Sequence, residues 1–515
     1  MKKILSVVLS VVIVLGIIGF VLVLEEKAQA EVSINIGDYV IVGRYYDEPI
    51  LWRCVDIDEN GPLMLSDKIL TIKPYDASGN HKYMDGTTQD DSDQGMRTKD
   101  GSNLWQTSNI RRWLNSTATA GNITWPDGCP PTEDKVQWEY NEYADEKGFL
   151  AEGNFEQTER SVIKAVSQKT LLNDYDIKKL KNGGTELHAF WPSISDALKN
   201  YDTAYYQNIT DSMFLLSVKQ AIKVFQNSNI LGTSYYIGQP TQKAIDNNES
   251  ENPNLDVDKK FDYYLRDPLN DSYYTNCVRN ISSTGDIDRN SASSSYVGIR
   301  PAFYLNTSTA IMKSGDGSSA SPYIADTPKD ITISDLKVKN KMYDGNNEAE
   351  IDISSIELND VDNGDDVALD FSNATILFDD KNVGTGKTVT ISGIALIGAN
   401  ANCYKLSPVY TTTADITAKS LVPTAKANDK IYNGSDNAVV TISLEGIINS
   451  EKVNATGTAA FEDGNVGTSK TVNVTGITLN GVDMDNYTLS STTASTTATI
   501  TPKATTITMA NARSE

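Results

Sequence analysis

At 515 residues, 39% of them hydrophobic, the chain is too long for one ordinary core and predicts about two to four domains. Its net charge of -23 excludes nucleic acid as a partner, because gripping a phosphate backbone takes clustered Lys and Arg. Four Cys without a CxxC pair signal neither a zinc site nor a disulfide scaffold, and two His leave little room for His-dependent catalysis.

The chain opens with Lys2 and Lys3, an uncharged run from Ile4 to Leu24, and then Ala28-Gln29-Ala30. A positive start, an apolar middle and a small-x-small end predict an export signal over residues 1–30, cleaved after Ala30. The apolar run is also long enough to span a bilayer, so an uncleaved anchor is the alternative. Either way, everything from Glu31 onward is expected outside the cytoplasm. The thiols of Cys54, Cys129, Cys277 and Cys403 are expected unpaired, with a Cys54–Cys277 bridge as the alternative.

Residues 31–325 read as one α+β module. Ile36–Gly43, Pro49–Ile57 and Pro62–Ser66 carry apolar runs bounded by turn signals and predict three strands, the first two an antiparallel pair. The polar stretch from Asp76 to Ser102 predicts a loop. Asp90, Asp91 and Asp93 ahead of Gly95 form a fragment of a calcium loop, but Ser102 stands where its closing acid belongs. A plain solvated loop is the expectation.

The stretch Leu104–Asn115 organises this module. Ser108 can cap a short helix on which Ile110, Trp113 and Leu114 share one apolar face, with Trp105 just upstream and Arg111 carried toward the interior. Residues 116–156 look irregular. A second helix is predicted over Thr158–Val166, with Val162, Ile163 and Val166 on its buried face. Asp211–Ser217 predicts a buried strand running into a helix that opens with a Ser217/Gln220 capping box. Phe261–Pro268 and Val297–Leu305 complete the apolar segments.

The order Trp52-Arg53, Trp105-x-x-Ser108-x-x-Arg111-x-Trp113-Leu114-Asn115, Glu159, Phe214–Ser217, Leu265–Pro268 and Gly298–Ala302 resembles DUF6273, a bacterial domain of unknown function found in exported Gram-positive proteins. Gly315–Ile324 is similar to that family's closing strand. Tyr263-Tyr264 stand where the family usually has Trp, and Ser217 is followed by Val218 and Lys219 in place of acidic residues. The resemblance implies no chemistry. Gly298-Ile299-Arg300 also resembles, more distantly, the C-type-lectin-like and formylglycine-generating folds.

Two readings of the charged residues stand open. Arg111, Arg266 and Arg300 with Glu159, Asp211 and Asp267 either converge on an anionic or sugar ligand or form internal ion pairs, since a buried Arg needs a partner. Five Tyr-Tyr doublets fall before residue 325, and on a strand each would turn one ring inward and one outward. The ligand-binding candidates are therefore Tyr263, Tyr264, Arg266 and Asp267, while Trp105, Ser108, Arg111, Trp113, Glu159, Ser217 and Arg300 form the structural set. No spacing selects a catalytic carboxylate pair, a phosphate loop or a Ser-His-Asp order, and no cofactor is implied.

After Pro328 the composition shifts to Thr, Val, Ala, Asn and Asp, and two copies of one unit follow over 326–419 and 420–503. Tyr343-Asp344-Gly345 matches Tyr432-Asn433-Gly434, and Asp380–Val389 matches Asp463–Val472. Alternating apolar residues and frequent turn signals predict a small all-β sandwich for each, burying its own core. These units resemble the YDG domain of bacterial surface proteins and adhesins, which implies cell-surface display. Ala504–Glu515 looks like the opening of a third unit. The combined expectation is an exported surface protein that binds a glycan or protein ligand, or acts in adhesion. The alternatives are an extracellular enzyme acting on glycans or proteins through 31–325, and a plain spacer.

Overall fold

The computed structural model describes residues 33–78, 97, 101–137, 143–180, 183–188, 197–248, 255–270 and 274–507; the leader over 1–30 and the acidic fragment at Asp90, Asp91 and Asp93 lie outside them. The chain divides between Thr327 and Pro328 into two units.

In the first unit, Tyr39–Tyr45 (β1) turns into Glu48–Asp58 (β2) through Tyr46 and Asp47, both with positive φ, as a two-residue hairpin demands. Gly61–Ser66 (β3) pairs onto β2, and Thr71–Ile72 (β4) leaves for a second sheet. The helix Asn109–Leu114 (α1) follows. Gln157–Ser161 (α2) then leads into Ile163–Lys164 (β5) and Val166–Leu171 (β6). Asp174–Leu180 (α3), Tyr206–Asp211 (β7), Phe214–Leu215 (β8) and Val218–Gln226 (α4) come next. The strands Tyr263–Pro268 (β9), Cys277–Ile281 (β10), Ile287–Ser291 (β11), Gly298–Ile299 (β12), Pro301–Leu305 (β13), Ile311–Met312 (β14) and Tyr323–Asp326 (β15) close the unit. One sheet runs β14-β15-β1-β2-β3-β13-β5 with β8 also on β13, the other β11-β10-β9-β12-β4, and β6 with β7 forms a separate ribbon. All share one hydrophobic core, giving an α+β unit in which strand outweighs helix.

The predicted organising helix forms where the sequence places it. Ser108 Oγ accepts from Arg111 N at 3.3 Å, and Ile110, Trp113 and Leu114 are fully buried. Asn109 ties α1 to the irregular segment after β4: its N–H donates to Asp76 and its side-chain oxygen accepts from Ala77 N at 3.0 Å. The Trp113 ring lies 5.1 Å from Phe149 and meets Tyr45 and Tyr143 edge-on at 5.7 and 6.1 Å. Its indole N–H donates to Lys147 O at 3.2 Å.

The second helix is shorter than the periodicity predicts. It covers only Gln157–Ser161, where Glu156 and Glu159 form a capping box. Val162, Ile163 and Val166 lie beyond it because β-branched residues suit a pleated surface: Ile163 pairs with Leu305 and Val166 with Asp211. The predicted strand into α4 is likewise broken, with Ser212 and Met213 turning between β7 and β8. Cys54 and Cys277 stay thiols, in β2 of one sheet and β10 of the other, and burial pushes the Cys54 thiol up to about 12.

In the second unit both repeats build the same four-stranded sheet. The first orders Lys341–Met342, Val409–Thr417, Gly384–Ser392 and Thr375–Phe378; the second orders Lys430–Ile431, Ala494–Thr501, Gly467–Asn480 and Asn454–Phe461. In each, the short strand before the Tyr-x-Gly motif runs parallel to the last strand. The expectation of self-contained cores needs correction. Leu421, Val453 and Tyr487 of the second repeat join Tyr343, Val389, Ile391 and Ile416 of the first in one cluster. A unit of fewer than a hundred residues has little apolar surface to bury alone, and the neighbour covers what is left.

Trp113→Ala should destabilise the first unit by about 3–5 kcal/mol, as loss of a large buried aromatic does, read as a shifted denaturant midpoint. Wild-type stability would remove Trp113 from its anchoring role.

Candidate functional site

The structural set resolves into separate local attachments. Asp211, at the end of β7, accepts from the Trp105 indole at 2.8 Å through one oxygen and from Arg111 Nε at 2.7 Å through the other. Glu159 accepts from Gly43 N at 3.0 Å and Glu156 N at 2.8 Å. Arg300, fully buried, spends its guanidinium on the carbonyls of Ser66, Asp67 and Tyr235 at 3.0–3.1 Å and stacks on the Tyr235 ring. These groups do not converge on a common point; each bolts one loop or helix to a sheet.

A different set does converge, around the start of α4. Ser217 Oγ accepts from Gln220 N at 3.1 Å, and Gln220 Oε1 accepts in return from Ser217 N at 3.0 Å, which completes the predicted capping box. Gln220 Oε1 also accepts from Arg266 Nη1 at 2.7 Å, while its amide donates to Gln168 Oε1 at 2.9 Å and reaches Tyr304 OH at 3.3 Å. Tyr304 OH in turn donates to Asp58 Oδ2 at 2.5 Å. Burial first, and then this hydrogen bond to a carboxylate, push the Tyr304 phenol well above its ordinary range.

This network backs a cavity of about 350 Å³ whose lining includes Asp58, Gln168, Lys169, Tyr201, Lys219 and Arg266. Lys169 lies 4.7 Å above the Tyr206 ring and donates to Tyr201 O and Asp202 O at 2.8 and 3.0 Å. Burial lowers its ammonium below the usual lysine value. Lys219 pairs with Asp202 at 2.7 Å, and that hydrogen bond holds the Asp202 carboxyl below the carboxylate range. Two donors, Arg266 Nε and Gln168 Nε2, are buried without a protein acceptor. Such groups each cost about 1–3 kcal/mol unless something accepts from them.

Of the four ligand-binding candidates, only Arg266 lines this cavity. Asp267 is fully buried and accepts from Val218 N at 2.7 Å and Leu171 N at 3.5 Å, so it serves the start of α4 and the end of β6. Burial, resisted by the charge of Arg266, raises its carboxyl above the ordinary value. Tyr263 and Tyr264 are both buried, hydrogen-bonded through their hydroxyls to Tyr236 O and Ser291 O. The inward-outward alternation fails because β9 is an interior strand of its sheet, buried at all six positions. No doublet ring among the described residues is exposed. Asp58, the Gln168-Lys169 pair and Tyr201 lie far apart in the chain, and the capping box is the one local pointer to their meeting place. Among the described residues, no group of three or more His, Cys, Asp or Glu could hold a metal ion.

Residues 60–307 match the family model described as Domain of unknown function (DUF6273). Residues 327–414 and 417–496 each match the YDG domain. The chain thus joins a DUF6273 domain, whose matched residues hold all the cavity lining except Asp56, Asp58 and Glu59, to two YDG domains. No curated protein and no solved structure matches the chain.

Asp211→Ala strips two donors of their acceptor and should cost the DUF6273 unit about 2–3 kcal/mol, because Arg111 keeps partial access to solvent and the carbonyl of Gln106. Unchanged thermal and denaturant midpoints would count against that attachment. His188 gives a second check. It is buried against Ala197 O at 2.9 Å, and burial together with the Arg279 charge lowers its imidazole to about 4. The unfolded chain takes up this proton near pH 6.5 and the folded chain refuses it until about pH 4. Stability should therefore fall as pH drops through that window, by up to about 3 kcal/mol. An NMR titration of the imidazole resonances with both histidines near pH 6.5 would contradict this.

Proposed function

We propose that this is an exported binding protein whose DUF6273 domain takes an acidic sugar unit of a cell-envelope or extracellular glycan, with the YDG domains serving surface display or adhesion. The observation that carries the reading is a cavity whose wall sets the cations Lys169, Lys219, Lys223 and Arg266 beside the carboxylates Asp56, Asp58 and Glu59. A sugar carboxylate or hydroxyl oxygen would accept from the cationic side chains. Lys219 and Lys223 add positive charge to the wall, while Asp56, Asp58 and Glu59 offer acceptors for sugar hydroxyls. A ligand that both accepts and donates suits such a mixed lining. Export rests on Lys2, Lys3, the apolar run and Ala28-Gln29-Ala30.

The test is binding of the full chain to an array of neutral and acidic glycans. Gln168→Glu keeps the acceptor for Gln220 and replaces the donor with a charge that repels an acid. It should lower affinity for an acidic glycan at least about tenfold while leaving the melting temperature within a few degrees. Equal binding by the variant, or no acidic glycan bound at all, would defeat the reading. Turnover of a glycan or peptide in the same samples would favour an enzyme instead.

A further inference from the structure

The two YDG domains meet through a joint that has one side made and one side open. In the joint, Tyr343 of the first Tyr-x-Gly motif is 1% exposed and its hydroxyl donates to Glu451 Oε1 at 2.6 Å. Tyr487 OH donates to the other carboxylate oxygen at 2.7 Å, and Lys381 Nζ approaches the first at 2.5 Å. Burial opposes the charge on Glu451, but the hydrogen bonds from Lys381, Tyr343 and Tyr487 outweigh it and hold the carboxyl below its ordinary value. Asn486 completes the joint: its oxygen accepts from Val383 N at 2.9 Å and its amide donates to Asn382 Oδ1 at 3.2 Å. A Cβ on Gly345 would come within 2.8 Å of Ile448.

The second domain repeats the frame of this end, with Gly464 in the place of Lys381. Tyr432 N donates to Thr501 O at 2.8 Å, as Tyr343 N does to Thr417 O. Lys470 pairs with Asp463 as Lys387 does with Asp380. Yet Tyr432 is 40% exposed, Val466 is exposed where Val383 is half-buried, and among the described residues nothing lies within 4 Å of a Cβ built on Gly434. Among the described residues, the second domain thus leaves exposed the positions that the first domain buries.

We infer that the Tyr432–Gly434 and Asn465–Val466 end of the second YDG domain is a docking face for a further YDG domain of the second domain's type. Its occupant presents an Ile-x-x-Glu loop and an Asn in the places of Ile448, Glu451 and Asn486. The first domain of another copy is a poor occupant. There Tyr404 OH meets Asp362 N and the Asp365 carboxylate, as Tyr487 OH meets Ile448 N and Glu451. This correspondence puts a charged Asp362 in the place of apolar Ile448. Cys403 takes the place of Asn486, and its thiol is a weak donor and a weak acceptor where the amide is a strong one of each. The joint therefore selects for order along a stack and disfavours head-to-tail chains of this protein.

The experiment inserts a second copy of residues 420–503 directly after Lys503 of the full chain and compares it with the natural chain by hydrogen–deuterium exchange. The amides of 431–434 and 465–466 should exchange at least tenfold more slowly in the extended chain. Glu→Ala at the Glu451 position of the inserted copy alone should restore the natural rate there while leaving the first joint protected. Tyr432→Phe should lower the melting temperature of the extended chain and leave the natural chain unchanged. Identical exchange at 431–434 in the two chains would overturn the inference. So would head-to-tail association of the natural chain in sedimentation that Tyr432→Phe abolishes.

Discussion

The start of α4 is the constraint on which the DUF6273 domain turns. A helix N-terminus leaves donors that its own turns cannot satisfy, and here it is buried, so side chains must answer them. Asp267 takes Val218 N and Ser217 takes Gln220 N. Gln220, freed to look sideways, becomes the hub between Arg266, Gln168 and Tyr304. Burying Asp267 raises the cost of its charge, and the adjacent Arg266 offsets part of that cost. The cluster beside the cavity satisfies itself almost completely, leaving Arg266 Nε and Gln168 Nε2 over.

The charged residues that stand out along the chain thus divide by what they serve. Arg300 and Asp267 answer backbone groups, Arg111 and Trp105 share Asp211, and Glu159 joins α2 to β1. A buried charge held by main-chain dipoles fixes the geometry of its neighbours and has little capacity left for a ligand. Arg266 differs because its Nη atoms are engaged and its Nε is not. In the YDG domains the same economy works across a domain boundary. Glu451 belongs to the second domain and satisfies a Tyr and a Lys of the first, so the core of one domain is finished by the next.

Much of this was legible in the residues. The α1 cap and its apolar face, the hairpin of β1 and β2, the α4 capping box, the two repeats and both family resemblances rest on local patterns, and local patterns are what a linear chain displays. Where the reading failed, a non-local partner decided. Val162–Val166 has the spacing of a helix face but pairs with β13 and β7. Tyr263 and Tyr264 alternate as a surface strand would, but β9 has neighbours on both edges and both faces buried. The repeats look self-sufficient in length, yet Leu421, Val453 and Tyr487 cross over to fill the first one's core.

The sequence by itself determined the division into an α+β domain and two β repeats, together with the acidic surface and the positions of the helix caps, because composition, period and capping chemistry act over a few residues. Only the tertiary structure decided that Asp58, Gln168, Tyr201 and Arg266 border one cavity and that Tyr343 is covered while Tyr432 is bare. Those facts depend on which strands close together across more than a hundred residues of chain, and on which buried donors find an acceptor when they do.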